Sequence, residues 1–209
     1  MLPNEVPNRT INHLGLFGIA LVMLAGASAA LVGVTMAGGR RAVPAPEFVL
    51  TSPDAHLAVS VPEIYTANVF GCHGGNNSPA LQWSGAPAGT KSFVVTLFDG
   101  DVRGTPSGWW HWVLYDVPAS VDKLPMGAGA EHSPLLPPGA QQGRTDLGTD
   151  AYHGPCPDKG DPPHHYVFTI YALSVAKLDV APDSSGSMVV SSAQDSLLGK
   201  AVFIAHYGR

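Results

Sequence analysis

The chain has 209 residues, 24 of them glycine and 19 proline, and only 13% carry charge. That is room for one ordinary domain plus an appendage. Such a composition argues against a helix bundle, whose solvent faces need more Glu, Lys and Arg. The formal net charge of −5 argues against a phosphate-tracking nucleic-acid binder, which is basic. Neither a Gly-rich phosphate loop nor an internal repeat is present.

After a tail over residues 1–13, the run from Leu14 to Ala37 is uncharged, and only Ser28 and Thr35 in it are distinctly polar. Its roughly 24 residues would rise about 36 Å as a helix, enough for a bilayer. One transmembrane helix or signal-anchor is therefore expected over 14–37. A buried core helix is the alternative, but the Pro-rich stretch after Arg41 offers it no partner. Ala27-Ser28-Ala29 has the small-x-small form of a cleavage site, and cleavage would release a secreted or periplasmic domain. The apolar run continues past it, so an uncleaved single-pass anchor is adopted. Arg40-Arg41 after the span outweighs Arg9 before it, which by the positive-inside rule would hold the domain in the cytoplasm. The cysteines argue for the exterior.

Residues 38–46 read as a linker, and 47–209 as the folded domain. Phe48-Val49-Leu50, Leu81-Gln82-Trp83, Lys91 to Phe98, Trp110 to Val117, His165 to Leu173 and Ala201 to Tyr207 are β-branched and aromatic, and predict strands. Turns fall at Ser84-Gly85-Ala86-Pro87, Pro137-Pro138-Gly139 and Asp158-Lys159-Gly160-Asp161-Pro162. Ser184 to Gly199 differs, with Met188, Val189, Ala193, Leu197 and Leu198 near helical spacing. Ser184 or Ser185 can cap that helix and Gly199 can stop it. The composite is mainly β: an antiparallel β-sandwich with one late short helix and long loops.

Cys72 and Cys156 are the only cysteines, too few and too far apart for a zinc knuckle and not a Cys-x-x-Cys pair. An even pair in an exported domain reads as one disulfide; two separate buried thiols are the alternative. A disulfide implies an oxidising compartment, and so a periplasmic or external domain.

Three polar segments adjoin predicted strands: Asp99-Gly100-Asp101, Gly108-Trp109-Trp110-His111-Trp112 and Asp161-Pro162-Pro163-His164-His165-Tyr166. Acids, imidazoles and a phenol there point to one polar pocket at a sheet rim, because such groups are costly to bury unpaired. His164 and His165 alternate along a strand, so at most one faces the site. Trp83, Trp109 and Trp112 read as core.

In order and content these segments resemble the phosphatidylethanolamine-binding protein family, in its bacterial Raf kinase inhibitor-like (YbhB/YbcL) branch. The resemblance runs from about Phe48 to Tyr207. It is carried by Asn77-Ser78-Pro79-Ala80-Leu81-Gln82-Trp83, Gly89-Thr90-Lys91-Ser92-Phe93, Gly108 to Trp112, and Gly154-Pro155-Cys156-Pro157 through Tyr166. The cysteine pair also resembles that of exported members. One departure stands out: the family's Asp-Pro-Asp-Ala-Pro reads Asp99-Gly100-Asp101-Val102-Arg103 here. Both prolines are lost, which loosens the loop, and a cation enters that could donate to an anion or fold back onto Asp101.

The resemblance implies a pocket for a small anion such as phosphate or a phospholipid headgroup. It would be lined by Asp99, His111 and His164 and supported by Asp101 and Tyr166, with no cofactor or metal. Imidazole N–H and phenol O–H groups suit phosphoryl oxygens. The expected function is non-enzymatic binding of such an anion, with coupling to protein inhibition or signalling as its expected extension. The partners are that ligand, the membrane through the N-terminal helix, and an unidentified protein. Two other classes stay open. One is a protein-interaction or inhibitor module with a vestigial pocket. The other is a metal-dependent hydrolase built on Asp99, His111 and His164, although no His-x-His or His-x-x-x-His spacing supports it. Ser78, Ser84 and Ser107 have no adjacent base to activate them, so an enzyme is disfavoured.

Overall fold

The structure, a computed structural model, describes residues 46–209. The expected membrane segment over 14–37 lies outside those residues, as do the tail and all but the last residue of the linker. Among the described residues no helix is long and apolar enough to cross a membrane.

Eight strands and one helix follow in order: β1 (Val49–Thr51), β2 (Leu81–Ser84), β3 (Ser92–Asp99), β4 (Trp109–Pro118), β5 (Lys123–Leu124), β6 (Gln141–Gln142), β7 (His164–Leu173), α1 (Gly186–Ala193) and β8 (Leu197–Tyr207). They form a three-stranded sheet, β1-β2-β5, and a five-stranded sheet, β6-β4-β3-β7-β8. Every strand pairing within them is antiparallel. Strand alternation sorts the larger sheet into two faces. Phe93, Val95 and Leu97 of β3, with Tyr166, Phe168, Ile170 and Ala172 of β7, meet Leu50, Leu81 and Trp83 in the main core. Val94, Val113, Tyr115 and Leu173 face the other way, under Val189 and Ala193 of α1. The central strand β3 is thus covered on both sides, which explains its near-continuous apolar run.

Trp112, fully buried, anchors the main core. Its indole N–H donates to Gln142 Oε1 at 2.8 Å, and its ring meets Tyr152 edge-on at 5.8 Å. This satisfies the one polar atom of the ring where it is buried and ties β6 to β4. The two-residue strands β5 and β6 were not among the expected elements. The helix is shorter than expected: it ends at Ala193, and Leu197, Leu198 and Gly199 belong to β8. Apolar residues near helical spacing served two elements here. Val189 and Ala193 are buried beneath α1, Met188 is exposed, and Leu197 opens β8 opposite Leu173. Ser185 caps α1, its side chain accepting the Met188 N–H.

Cys72 and Cys156 form a disulfide, their Cα atoms 6.1 Å apart and 84 residues apart in sequence. It joins two loops beyond the ends of β3 and β7. Closing so long a loop restricts the unfolded chain and should contribute about 4 kcal/mol in the chain-entropy treatment. Cys156→Ser is therefore expected to lower unfolding free energy by about 2–4 kcal/mol in oxidised protein. Urea titration with and without reductant checks this: with reductant the two proteins should coincide, and a difference that persists there would contradict a disulfide origin.

Candidate functional site

Asp99 is the last residue of β3 and continues the inward face of Phe93, Val95 and Leu97, so the strand's own alternation drives a carboxylate into the end of the core. It is only 1% exposed. Its register partners are Trp109 on β4 and Tyr166 on β7. Both carboxylate oxygens are satisfied: Oδ1 accepts the Asp101 backbone N–H at 2.8 Å, and Oδ2 lies 2.8 Å from His164 Nδ1. A carboxylate accepts and cannot donate, so His164 carries its proton on Nδ1. Its other ring nitrogen, Nε2, lies 3.6 Å from Asp161 Oδ2. A doubly protonated His164 ring would thus have an acidic partner on each nitrogen.

His111 reaches the same place by a different route. Leu97 pairs with Trp112 and Phe98 with Trp110, which leaves His111 as the extra residue of a β-bulge. Bulges re-aim side chains beside functional sites. Its Nδ1 donates to the His153 carbonyl at 2.9 Å, leaving Nε2 4.0 Å from Asp99 Oδ2. Burial pushes the His111 imidazole down to about 4, although the Asp99 charge and the His153 carbonyl pull the other way. At neutral pH the ring is therefore neutral, with a bare Nε2 lone pair beside Asp99. Tyr166 completes the group. Its ring lies 5.4 Å from that of His111 and stacks at 6.2 Å on that of His164. Its buried hydroxyl makes no well-formed hydrogen bond, though Asp99 lies near enough to act on it. Burial, then the Asp99 charge, raises the phenol well above its ordinary range, so it remains a donor.

Gly108, which opens the Gly-Trp-Trp-His-Trp segment, has φ +68°, and a Cβ there would meet the Phe98 ring and lie 2.7 Å from the Asp99 carbonyl oxygen. Only glycine lets the returning chain pass so close behind Asp99.

Asp99, His111, His164 and Tyr166 open onto one cavity of about 260 Å³. Its outer wall is apolar, from Val69, Phe70, Val102 and Leu147, with Arg103, Asp158 and Asp161 adding charge. Three ties brace the wall. Asn76 accepts the Gly154 N–H at 2.9 Å, and the disulfide links the same two loops. Arg209 donates to the Pro157, Gly71 and Phe70 carbonyls at 2.6, 3.0 and 3.2 Å.

Of the expected site residues, Asp99, His111, His164 and Tyr166 come together. Asp101 does not line the cavity. Its Oδ2 takes the His165 backbone N–H at 2.7 Å and lies 2.8 Å from His165 Nδ1. It acts from outside, by presenting its own N–H to Asp99. The bond from the His165 backbone holds the Asp101 carboxyl below its ordinary range. His164 faces inward and His165 outward, as alternation requires. Trp83 and Trp112 are core, whereas Trp109 lines the cavity. Arg103 pairs with Asp161, at 3.0 Å, and not with Asp101.

His153 and Asp161 are wall residues that the sequence reading did not assign. Asp161 had a usable signal, standing three residues before His164 in a segment already singled out. His153 had none. The polar groups here point at one another: the His164 Nδ1 proton goes to Asp99 and the His111 Nδ1 proton to a carbonyl. Among the described residues no group of three or more His, Cys, Asp or Glu side chains is arranged to hold a metal ion.

An antiparallel sandwich closed at one end by a buried Asp–His pair, a bulge histidine and a buried phenol bounds a cavity of small-molecule size. Residues 51–208 match the sequence profile of the phosphatidylethanolamine-binding protein family, and the chain belongs to that family. Escherichia coli YbcL is 47% identical over 142 residues, 68% of this chain and 77% of that protein. Its crystal structure, described as a new member of the mammalian PEBP family, covers 78% of this chain and 99% of its own, with TM-score 0.75 and 43% identity. E. coli YbhB is 44% identical over 140 residues, 67% of this chain and 87% of that one. LppC of Mycobacterium tuberculosis, which bears a lipoprotein name, is 30% identical over 138 residues, 66% of this chain and 62% of its own.

The neutral His111 carries a pH consequence. Its folded-state value lies below the ordinary 6.5, so between about 4 and 6.5 the unfolded chain binds the extra proton. Its share of stability is intact above about 6.5 and is lost as pH falls toward 4. His111→Gln keeps a donor for the His153 carbonyl but does not titrate. Its unfolding midpoint should fall less steeply than wild type between pH 7 and 4.5, with the remaining slope owed in part to His153, which burial also holds low. Equal slopes in urea titrations would contradict this.

Proposed function

We propose that the cavity binds a small phosphate-like anion, free or as a lipid headgroup, without chemical turnover. The observation that carries this reading is the buried Tyr166 hydroxyl, set beside two imidazoles in the cavity wall. It makes no well-formed hydrogen bond in the protein, although Asp99 lies near enough to bias it. A buried donor left unsatisfied costs about 1–3 kcal/mol, and a phosphoryl oxygen would satisfy it.

The neutral His111 refines the electrostatics. Its Nε2 accepts and does not donate, so it contacts an anion only after taking a proton from solvent. An anion near Nε2 favours the charged ring, so binding and proton uptake are linked. Affinity should then fall as pH rises, because uptake becomes harder. His164→Ala should lose about tenfold to a hundredfold, the worth of one charge-assisted contact. Calorimetric titration with phosphate and with phosphoethanolamine, in buffers of different ionisation enthalpy at two pH values, measures both effects. Unchanged affinity in His164→Ala and a buffer-independent enthalpy would sink the assignment.

The domain is further proposed to face the periplasm or exterior, held by an uncleaved anchor over 14–37. The disulfide, which needs an oxidising compartment, and the lipoprotein name of the LppC relative support export. A reporter enzyme active only outside the cytoplasm, fused after Arg209, should be active. Activity confined to a cytoplasmic reporter would reverse the orientation.

A further inference from the structure

Charge in the cavity wall is the difficulty for any anion. Asp99, Asp158 and Asp161 line it against a single guanidinium, Arg103, and His111 is neutral at pH 7 because it is buried. Asp99 is already engaged by His164 and the Asp101 N–H. Arg103 is therefore the permanent positive charge in the wall. It stands where the family's loop carries a proline.

Its setting favours movement. The Arg103 side chain is 70% exposed, and its Nη1 lies 3.0 Å from Oδ1 of Asp161, whose own side chain is only 9% exposed. The other carboxylate oxygen of Asp161 is the one facing His164 Nε2 at 3.6 Å. Solvent screens the pair on its arginine side, so a better-matched anion can displace the carboxylate. The backbone N–H groups of Val102, Arg103 and Gly104 make no backbone hydrogen bond. Gly104 sits at φ +75° with open space around it. The loop is tied at its start by Asp101, which bonds Asp99 and His165, and at its end by the Gly108 N–H to the Thr105 carbonyl, so easy movement is confined to residues 102–104.

We infer that Arg103 is a ligand-binding residue, exchanging Asp161 for the bound phosphate group and drawing residues 102–104 over it. A guanidinium presents paired N–H donors to two phosphoryl oxygens, a match that lysine lacks. When Arg103 leaves, Asp161 keeps its place opposite His164 Nε2, so the carboxylate stays in the wall while the guanidinium moves to the ligand. The inference rests on the anion reading of the pocket and names the residue that overcomes its acidity.

The test is calorimetric titration of the full chain with inorganic phosphate and with phosphoethanolamine, comparing wild type, Arg103→Gln, Arg103→Lys, Asp161→Asn and the Arg103→Gln/Asp161→Asn double variant. Because Arg103 is exposed, Arg103→Gln should keep the wild-type unfolding midpoint. It should lose about tenfold to a hundredfold in phosphate affinity, with Arg103→Lys recovering only part. Asp161→Asn should bind severalfold more tightly, and that gain should shrink when Arg103 is already gone. Unchanged affinity in Arg103→Gln while His164→Ala weakens would overturn the role of Arg103 and leave the pocket reading standing. An equal gain from Asp161→Asn in both backgrounds would overturn the exchange. No binding by wild type would overturn the anion reading itself, and this inference with it.

Discussion

The site depends on one buried carboxylate. Asp99 sits at the end of the central strand, where alternation points it inward, and burying an unpaired carboxylate would cost several kcal/mol. The fold meets that cost with two hydrogen bonds from different segments, the Asp101 N–H and His164 Nδ1. Each imposes a further constraint. The first curls the loop after β3 into a turn, and the second fixes the tautomer of His164. The β4 bulge then brings His111 to the same oxygen from the other flank. Strand pairing in a five-stranded sheet thereby gathers groups that lie up to 65 residues apart within one small volume.

Above this rigid floor the walls are loops, and they are braced unequally. The wall around Phe70 and Pro157 is held by a disulfide, by Asn76 and by Arg209, and it behaves as part of the scaffold. The loop carrying Arg103 is pinned at its base by Asp101, but beyond it Arg103 makes one exposed ion pair. The polar groups thus lie on a rigid floor and the Arg103 guanidinium at the rim, with an apolar lining from Val69, Phe70, Val102 and Leu147 between them.

Much of this was legible in the sequence, and the parts that were not have physical reasons. The long strands announced themselves because β3 and β7 need apolar residues on both faces. Asp99, His111, His164 and Tyr166 stood out as polar groups abutting those runs. The strands β5 and β6 were invisible, since two residues carry no period. Leu197 and Leu198 fit helical spacing as well as a strand, and only pairing with β7 decides between them. Asp101 was expected to support the pocket, and it does so from outside: a turn sends its side chain to His165 while its N–H reaches Asp99. The pairing of Arg103 with Asp161 joins residues 58 positions apart through space, which no local pattern encodes. The neutrality of His111 follows from burial, a property of the fold and not of neighbours in sequence.

The protonation state of His111 is the most direct test of the pocket, because it decides how an acidic cavity can receive an anion. Long-range ¹H–¹⁵N NMR of the imidazole nitrogens, on the oxidised protein at pH 7 with and without phosphate, reports it site by site. The expected free state is a neutral His111 with its proton on Nδ1, becoming doubly protonated when phosphate binds. A His111 ring that carries its proton on Nε2 in the free protein, or that does not change on saturation with phosphate, would contradict the proposed site.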